Sequence, residues 1–249
     1  MPKLFAIANQ KGGVGKTTTT AALGAAFAEQ GQRVLVVDLD PQAGLTVSLG
    51  LDPDKLDKTI YHILLEEEDV TRVVVPTKVP QMDLVPANLD LAGVEAELIG
   101  EIGWDRTLKD ALDKIQDSYA RILLDCPPSL GVLTTNALVA AEIVIVPLQC
   151  EYLALRALKQ LQKIIAKVNR KANPHLHTRI LRTMYDGRTI HDREIFEEIA
   201  RVGGEQVFQT FIKRTIKIAD AAVEGEPIIR YATDSDASQA YRKLAQEIA

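Results

Sequence analysis

Lys11-Gly12-Gly13-Val14-Gly15-Lys16-Thr17-Thr18 is a glycine-rich turn with a lysine at each end of its loop. It follows the apolar run Leu4-Phe5-Ala6-Ile7-Ala8 and leads into a helical pattern from Lys16 to Gln30. A strand, a glycine-rich turn and a helix in that order make the setting of a phosphate-binding loop. Glycines at 12, 13 and 15 let successive backbone N–H groups turn toward an anion, and the new helix adds the positive end of its dipole. In such a loop Lys16 reaches the outer phosphates and the Thr17 hydroxyl is placed to ligate Mg²⁺.

Outward from the loop, apolar runs alternate with helical patterns. Strands are expected near 3–8, 33–38, 83–86, 120–125, 142–147 and 178–184, with a further short one near 206–208. Helices are expected at 16–30, 58–66, 90–100, 105–117, 131–140, 152–171, 189–201, 215–222 and 236–248. Runs such as Val34-Leu35-Val36-Val37 and Ile143-Val144-Ile145-Val146 are apolar throughout, as in strands buried on both faces. The alternation predicts an α/β fold: a doubly wound, mainly parallel sheet with helices on both faces. The 249 residues are expected to form one domain, 1–249, since no repeat, low-complexity tract or Pro/Gly/Ser linker interrupts them. In such sheets ligands sit beyond the carboxyl ends of the strands. Those ends carry Asp38-Leu39-Asp40-Pro41-Gln42, Asp125-Cys126-Pro127-Pro128, Pro147-Leu148-Gln149 and Thr183-Met184-Tyr185-Asp186, all on the edge that holds the glycine-rich loop.

Composition narrows the classes. Apolar residues make up 47% and charged residues 25%, ordinary for a globular chain. Cys126 and Cys150, the two cysteines, have no metal or disulfide spacing and end apolar runs, so they are expected to be small buried hydrophobes. No apolar stretch approaches the roughly 18–20 residues of a membrane span, and no leader pattern precedes the first strand, so a cytoplasmic location is expected. The net charge of −5 is unevenly spread. Residues 156–217 hold fourteen Lys/Arg against six Asp/Glu, a net of +8, and the remainder carries −13. That asymmetry suggests one face suited to a polyanion. Within it, Arg156, Lys159, Lys163, Lys167, Arg170 and Lys171 recur at helical steps opposite Leu153, Leu158, Leu161, Ile165 and Val168. A solvated helix face explains that stripe as well as a binding surface does.

Three carboxylates complete the site. Asp125 ends the apolar run Ala120–Leu124, and a buried strand-end carboxylate needs a cation. Mg²⁺, which takes one or two carboxylates, phosphate oxygens and waters, suits it. Asp38 and Asp40 lie two apart, on one side of a strand. Their repulsion calls for cations between them, and the loop lysines and Mg²⁺ are at hand.

The loop departs from the usual phosphate-loop pattern G-x-x-x-x-G-K-[ST], because Gln10 stands at its first glycine. It resembles instead the deviant Walker A box K-G-G-x-G-K-[ST]-[ST] of the ParA/MinD family of P-loop ATPases. The resemblance implies ATP and Mg²⁺ as cofactors. It also implies that Lys11 crosses to the nucleotide of a second copy in an ATP-bridged homodimer. Asp125-Cys126-Pro127-Pro128 is similar to the family's D-x-P-P, and Asp38-Leu39-Asp40-Pro41-Gln42 to its D-x-D-P-Q. By that resemblance Asp38 and Asp125 support the Mg²⁺ shell with Thr17, and Asp40 orients the attacking water. Lys11, Lys16 and Asp40 become the catalytic set. Thr183–Thr189 looks like T-M-x-D-x-R-T, which puts Met184 and Tyr185 near the base, and Pro227 matches another base-side segment.

The same resemblance implies slow, partner-stimulated hydrolysis and ATP-dependent, sequence-independent binding of double-stranded DNA. The family's I-P-R-x-x-R segment reads Ile212-Lys213-Arg214-Thr215-Ile216-Lys217 here, so Lys213, Arg214 and Lys217, with Arg188, are the expected DNA contacts. A ParB-like activating protein and a nucleoid-associated location follow as expectations. Two relatives within the family remain alternatives: a MinD-like membrane-positioned ATPase, and an ATPase that positions carboxysomes or other protein cargo. The stretch Asp234–Ala249 has too little bulky apolar surface for one-sided membrane insertion, so no membrane partner is expected. An iron–sulfur reductase of the wider class would need bridging cysteines with neighbours that Cys126 and Cys150 lack.

Overall fold

The structure, a computed structural model, describes residues 3–151 and 154–248. Eight strands form one sheet: β1 (Leu4–Ile7), β2 (Val34–Asp38), β3 (Val75–Pro76), β4 (Met82–Val85), β5 (Arg121–Asp125), β6 (Ile143–Gln149), β7 (His177–Tyr185) and β8 (Val207–Lys213). Their order across the sheet is β3-β4-β2-β5-β1-β6-β7-β8, and all neighbours are parallel except β3 on β4. The helices are α1 (Lys16–Glu29), α2 (Gly44–Ser48), α3 (Ile60–Leu65), α4 (Leu91–Leu98), α5 (Thr107–Asp113), α6 (Val132–Ala140), α7 (Ala154–Lys171), α8 (Ile190–Gly203), α9 (Lys217–Val223), α10 (Ile228–Tyr231) and α11 (Asp236–Ile248).

Alternation along each strand feeds two cores, one on each face. Leu35, Val37, Ile122, Leu124, Val144 and Val146 pack with the helices between α3 and α8. Val34, Val36, Leu123, Ile145, Phe5 and Ile7 pack with α1 and α9 to α11. Each strand residue therefore meets a helix whichever way it points, and the runs read as continuously apolar. Cys126 and Cys150 are buried free thiols within the first of these cores.

The departures from expectation have local causes. Strand β3 is only two residues long and includes Pro76, a residue confined to sheet edges, so no periodicity announces it. Helices α2 and α10 span five and four residues, too short for a 3.6-residue pattern. The strand expected near 206–208 runs on to Lys213. It is the far edge of the sheet, half exposed and irregular in register against β7, so its pattern is broken by polar residues. Its backbone is blunted as an edge: Gln209 N and Thr210 N donate to the Glu247 carboxylate of α11, at 2.7 and 3.0 Å. The helix expected over 105–117 stops at Asp113 and gives way to a short 3₁₀ turn at Gln116–Ser118. The start of the helix expected at 152, with Leu153, lies outside the described residues, as does the side chain of Arg156. Beyond them, Leu158, Leu161, Ile165 and Val168 are buried and Lys159, Lys163, Lys167, Arg170 and Lys171 exposed, as the stripe predicts.

Candidate nucleotide and cation site

The parallel order puts β1, β2, β5, β6 and β7 side by side with their carboxyl ends at one edge. The loop after β1 is fastened there at several points. Asn9, 2% exposed, donates from Nδ2 to the Pro147 carbonyl at 2.7 Å and accepts the Lys11 N–H on its Oδ1 at 3.0 Å. The Thr183 hydroxyl, at the end of β7, donates to the Val14 carbonyl at 2.9 Å. Gly13 and Gly15 take φ of 72° and 92°, the left-handed region that a side chain disfavours, and Gly15 caps α1. Nothing lies within 4 Å of where a Cβ would stand on Gly12, Gly13 or Gly15. The loop thus opens on a cavity of about 260 Å³ lined by Gly12, Gly13, Gly15, Lys16, Thr17 and Thr18 of the loop, with Asp40, Pro128 and Met184 facing them.

Beneath the loop lie the carboxylates. Asp38 and Asp125 are in register on adjacent strands, and both are fully buried. Thr17 and Thr20 each donate a hydroxyl to Asp125, at 2.7 and 3.3 Å. Burial pushes Asp125 well above the usual carboxylate range, and the neighbouring Asp38 charge adds to it. Asp38 is pushed up to about 6, again first by burial, while hydrogen bonds from Thr46 and Asp40 oppose the rise. Both Asp38 oxygens are engaged: Asp40 N donates to Oδ1, and Thr46 N and Oγ1 donate to Oδ2 at 2.9 and 2.8 Å. Lys16 is 7% exposed; burial lowers its pKa and the Asp125 charge works against that. Two dry carboxylates that resist ionising beside one lysine describe a place short of positive charge. Among the described residues no group of three His, Cys, Asp or Glu could hold a metal by itself. A hard cation here would complete its shell from Thr17, water and a ligand's own oxygens, which is the habit of Mg²⁺.

Asp40 lines the cavity, and its Oδ1 also accepts Gln42 N at 2.9 Å, so the side chain caps its turn while facing the loop. Lys11 extends toward β6, where its ammonium pairs with Glu151 and meets Gln149 Oε1 at 3.2 Å, within its own chain. Met184 takes a left-handed φ of 53° and lines both the phosphate-side cavity and an adjoining apolar one of about 120 Å³. The second cavity is also walled by Val14, Thr18, Ile212, Ile218 and Tyr241. Tyr185 turns elsewhere, against Phe196 and Phe211 at ring-centroid distances of 4.5 and 5.3 Å. Pro227 lines neither cavity: it starts α10, beside the tight approach of Gly225 to Gly50. The structure brings Met184 to the apolar cavity and leaves Tyr185 and Pro227 outside it. Its other wall comes from the β8–α9 connection, a tertiary neighbour that no local motif marks.

Of the expected DNA contacts, Arg214 and Lys217 are exposed with no ion pair among the described residues, whereas Lys213 pairs with Asp236 at 3.1 Å and Arg188 with Asp186. Asp234 and Asp236 share the hollow around Lys213, Arg214 and Lys217, so this face is less purely basic than the chain segment suggests. Asn9, Thr20 and Thr46 escaped the sequence reading, and Thr183 was placed at the ligand edge without its bond to the loop. Of the three that escaped, Thr20 carried a signal, since it shares a helix face with Thr17.

Comparison with known proteins agrees with this arrangement. Residues 2–178 match a family described as an AAA domain. The sporulation initiation inhibitor protein Soj of Bacillus subtilis is 42% identical, with 100% of this chain and 99% of Soj covered. The chromosome partitioning protein ParA of Caulobacter vibrioides is also 42% identical, over 99% of this chain and 93% of that one. The chain belongs to the ParA/Soj family of P-loop ATPases. A solved structure from Mycobacterium smegmatis, described as cobyrinic acid a,c-diamide synthase with bound ATP analogue and magnesium, superposes with a TM-score of 0.87. It shares 44% identity, over 99% of this chain and 93% of that one. Among the described residues no helix is long and apolar enough to cross a membrane.

Proposed function

We propose that this protein is an ATP-driven switch that dimerises around ATP and binds double-stranded DNA without sequence preference. In this reading it helps to partition DNA with an activating ParB-like partner. The observation that carries the reading is the two-lysine loop standing over the buried Asp38–Asp125 pair. The names of the Soj and ParA relatives support the partitioning role.

Phosphates would be cradled by the N–H groups of residues 12–18, with Lys16 set against the outer charges. Mg²⁺, held by Thr17 and through water by Asp125, would supply charge neutralisation at the phosphates. Asp38, with both oxygens engaged by Thr46 and Asp40, contributes its charge and braces the Asp40 turn. Asp40 would position water, the main demand of phosphoryl transfer. The base would enter the apolar cavity beside Met184 and Tyr241. Lys11 would leave Glu151 to reach a partner's nucleotide. A membrane-positioning role is less well supported, because α11 directs Ala237, Tyr241, Leu244 and Ala245 into the core. Diamide synthesis, the activity in the Mycobacterium smegmatis description, gains no support from either thiol: burial pushes Cys150 up to about 11 and Cys126 higher still.

Binding of mixed-sequence duplex, measured with ATP, with ADP and with neither at two salt concentrations, tests the switch. ATP-dependent binding that weakens steeply with salt is the expected result. Lys217→Glu should weaken it for all sequences alike. Equal binding in ADP would refute the DNA switch and leave protein-cargo positioning as the better account. The Lys16→Ala variant separates the layers, since it should lose Mg·ATP binding altogether.

A further inference from the structure

The short helix α2 turns the usual pattern inside out. Thr46, at its centre, is fully buried, while the neighbouring Val47 is 49% exposed. A buried hydroxyl is costly unless its hydrogen bonds are made, so a polar residue facing inward needs partners. Thr46 has them on two sides. Its Oγ1 donates to Asp38 Oδ2 at 2.8 Å and accepts the Ala87 N–H at 3.1 Å. A hydroxyl has a single hydrogen and a backbone N–H can only donate, so the Thr46 proton is committed to Asp38. Ala87 follows the end of β4 and is itself fully buried, so it fixes the hydroxyl from behind.

The carboxylate that Thr46 holds anchors a turn. Between Asp38 and Thr46 the chain leaves β2, reverses and enters α2. Asp38 grips this stretch at both ends: Oδ1 accepts Asp40 N at 3.1 Å, and Oδ2 accepts Thr46 N at 2.9 Å besides the hydroxyl. Within the turn Ala43 N donates to the Asp40 carbonyl at 2.8 Å, and Ala43 takes a left-handed φ of 53°. A residue with a side chain is strained at such a φ and persists where its surroundings over-determine it. The turn also bears on the phosphate loop, since a Cβ on Gly44 would stand 3.7 Å from Thr17 Oγ1. Asp40, which lines the loop cavity, therefore stands on a strained turn hung from one carboxylate.

We infer that Thr46 is a positioning residue for the reaction at this site: its hydroxyl locks the Asp38 carboxylate, and through it the turn that presents Asp40 to the attacking water. The inference rests on the proposed ATPase and on the place of Asp40 in it. Thr46 does not line the loop cavity, so it acts through Asp38. Its demand is geometric. A displacement of about 1 Å at a reacting group can cost a rate about a hundredfold. The phosphate cradle, by contrast, is built from residues 12–18 and takes no bond from Thr46. Loss of the hydroxyl should therefore cost turnover and spare ATP binding.

Three substitutions in the full chain separate geometry from packing. Thr46→Val removes the hydroxyl at nearly constant volume, Thr46→Ala removes it with loss of volume, and Thr46→Ser keeps it. Thr46→Val and Thr46→Ala should each slow single-turnover phosphate release by about tenfold or more and leave Mg·ATP affinity, by calorimetry, within about threefold. Thr46→Ser should restore turnover to within about threefold of the parent. In an Asp40→Ala background, Thr46→Val should change turnover by less than about twofold, because both act on the same water. Thr77→Val controls for lost stability: it removes a half-buried hydroxyl bonded to the Met82 carbonyl, at the other end of β4, and should leave turnover unchanged. Amide exchange of the ligand-free protein gives a readout apart from hydrolysis. The Asp40 and Ala87 amides should exchange at least about tenfold faster in Thr46→Val and keep the parent's rates in Thr46→Ser. Normal turnover in Thr46→Val, equal losses in Thr46→Ser or Thr77→Val, or ATP affinity lost in step with turnover would overturn the inference. A parent that neither binds nor hydrolyses ATP would instead refute the proposed function, with the exchange rates still deciding whether the hydroxyl holds the turn.

Discussion

At the level of single residues, the site is a problem of uncompensated charge. Asp38 sits at about 6 when folded against an ordinary 3.8, because burial penalises its charged form. A carboxyl raised by folding binds protons more readily in the folded state, so its cost to stability is complete above about pH 6 and is relieved as pH falls toward 4. Asp38→Asn sets its amide N–H against the backbone donor of Asp40 or Thr46, a cost independent of pH, so relative to the parent it should be more stable at pH 7 than at pH 4 by the relief of the buried charge. Melting temperatures of both proteins across that range check this; a difference between them that does not change with pH would show that Asp38 is not raised by folding. Asp40 differs: it is half-buried and faces the loop. Asp40→Ala should keep ATP bound and reduce turnover by at least about a hundredfold, the scale of losing a positioned reaction partner. Calorimetry and phosphate release measured together decide it, and normal hydrolysis would remove Asp40 from the mechanism.

At the level of elements, the site depends on helices that pack far along the chain. Helix α11 is anchored by Tyr241, which is 1% exposed, meets Thr19 Oγ1 of α1 at 3.3 Å, and walls the apolar cavity. Truncating it removes a large aromatic from a closed core and opens the cavity wall. Tyr241→Ala should cost about 3–5 kcal/mol of stability, as for other buried aromatics, and weaken nucleotide binding as well. Denaturant unfolding and ATP titration provide the two readouts. A loss below about 1 kcal/mol would mean that α11 is only loosely docked. Helix α1 is held as closely from the other side, where a Cβ on Gly24 would come within 3.0 Å of both Met82 Sδ and Val36 Cγ1. This is why the helix after the loop rests flush on the sheet, with Lys16 directed back over the strand ends.

At the level of the whole molecule, the +8 segment and the −13 remainder make a strongly polarised chain. Folding moderates the polarity, because Asp234 and Asp236 come to lie among Lys213, Arg214 and Lys217. The face around Lys213 then offers few free cations on one chain, Arg214 and Lys217 among the described residues, and a dimer would double them, which is the physical case for the proposed nucleotide-gated binding. Lys11 bears on the same step. In the single chain it is occupied by Glu151 and Gln149, so the proposed dimer would have to exchange those contacts for a partner's phosphates. Lys11→Ala should leave ATP affinity within about threefold and reduce the ATP-dependent dimer by about tenfold or more. Light scattering with saturating ATP measures the second quantity. An undiminished dimer would show that Lys11 stays at home.

Much of this was legible in one dimension. The loop, its strand and its helix are contiguous, so residues 4–30 carried their own geometry, and the carboxylates could be found because Asp38 and Asp125 each terminate an apolar strand and Asp40 follows two residues after the first. Parallel order explains why strand ends so distant in sequence share one edge, and continuous apolar runs announced that order. What the sequence could not express was proximity without periodicity. The clasp of Thr46 on Asp38, Asn9 bonded to Pro147, Thr183 bonded to Val14, the β8–α9 wall of the apolar cavity and the Glu247 cover on the β8 edge all join residues through the fold. The same holds for Tyr185, whose ring packs on Phe196 and Phe211 while its neighbour Met184 lines the apolar cavity. Local chemistry determined which edge binds and what kind of charge it needs; only packing decided which side chains reach it, because a side chain's neighbours across a sheet leave no mark on its neighbours along the chain.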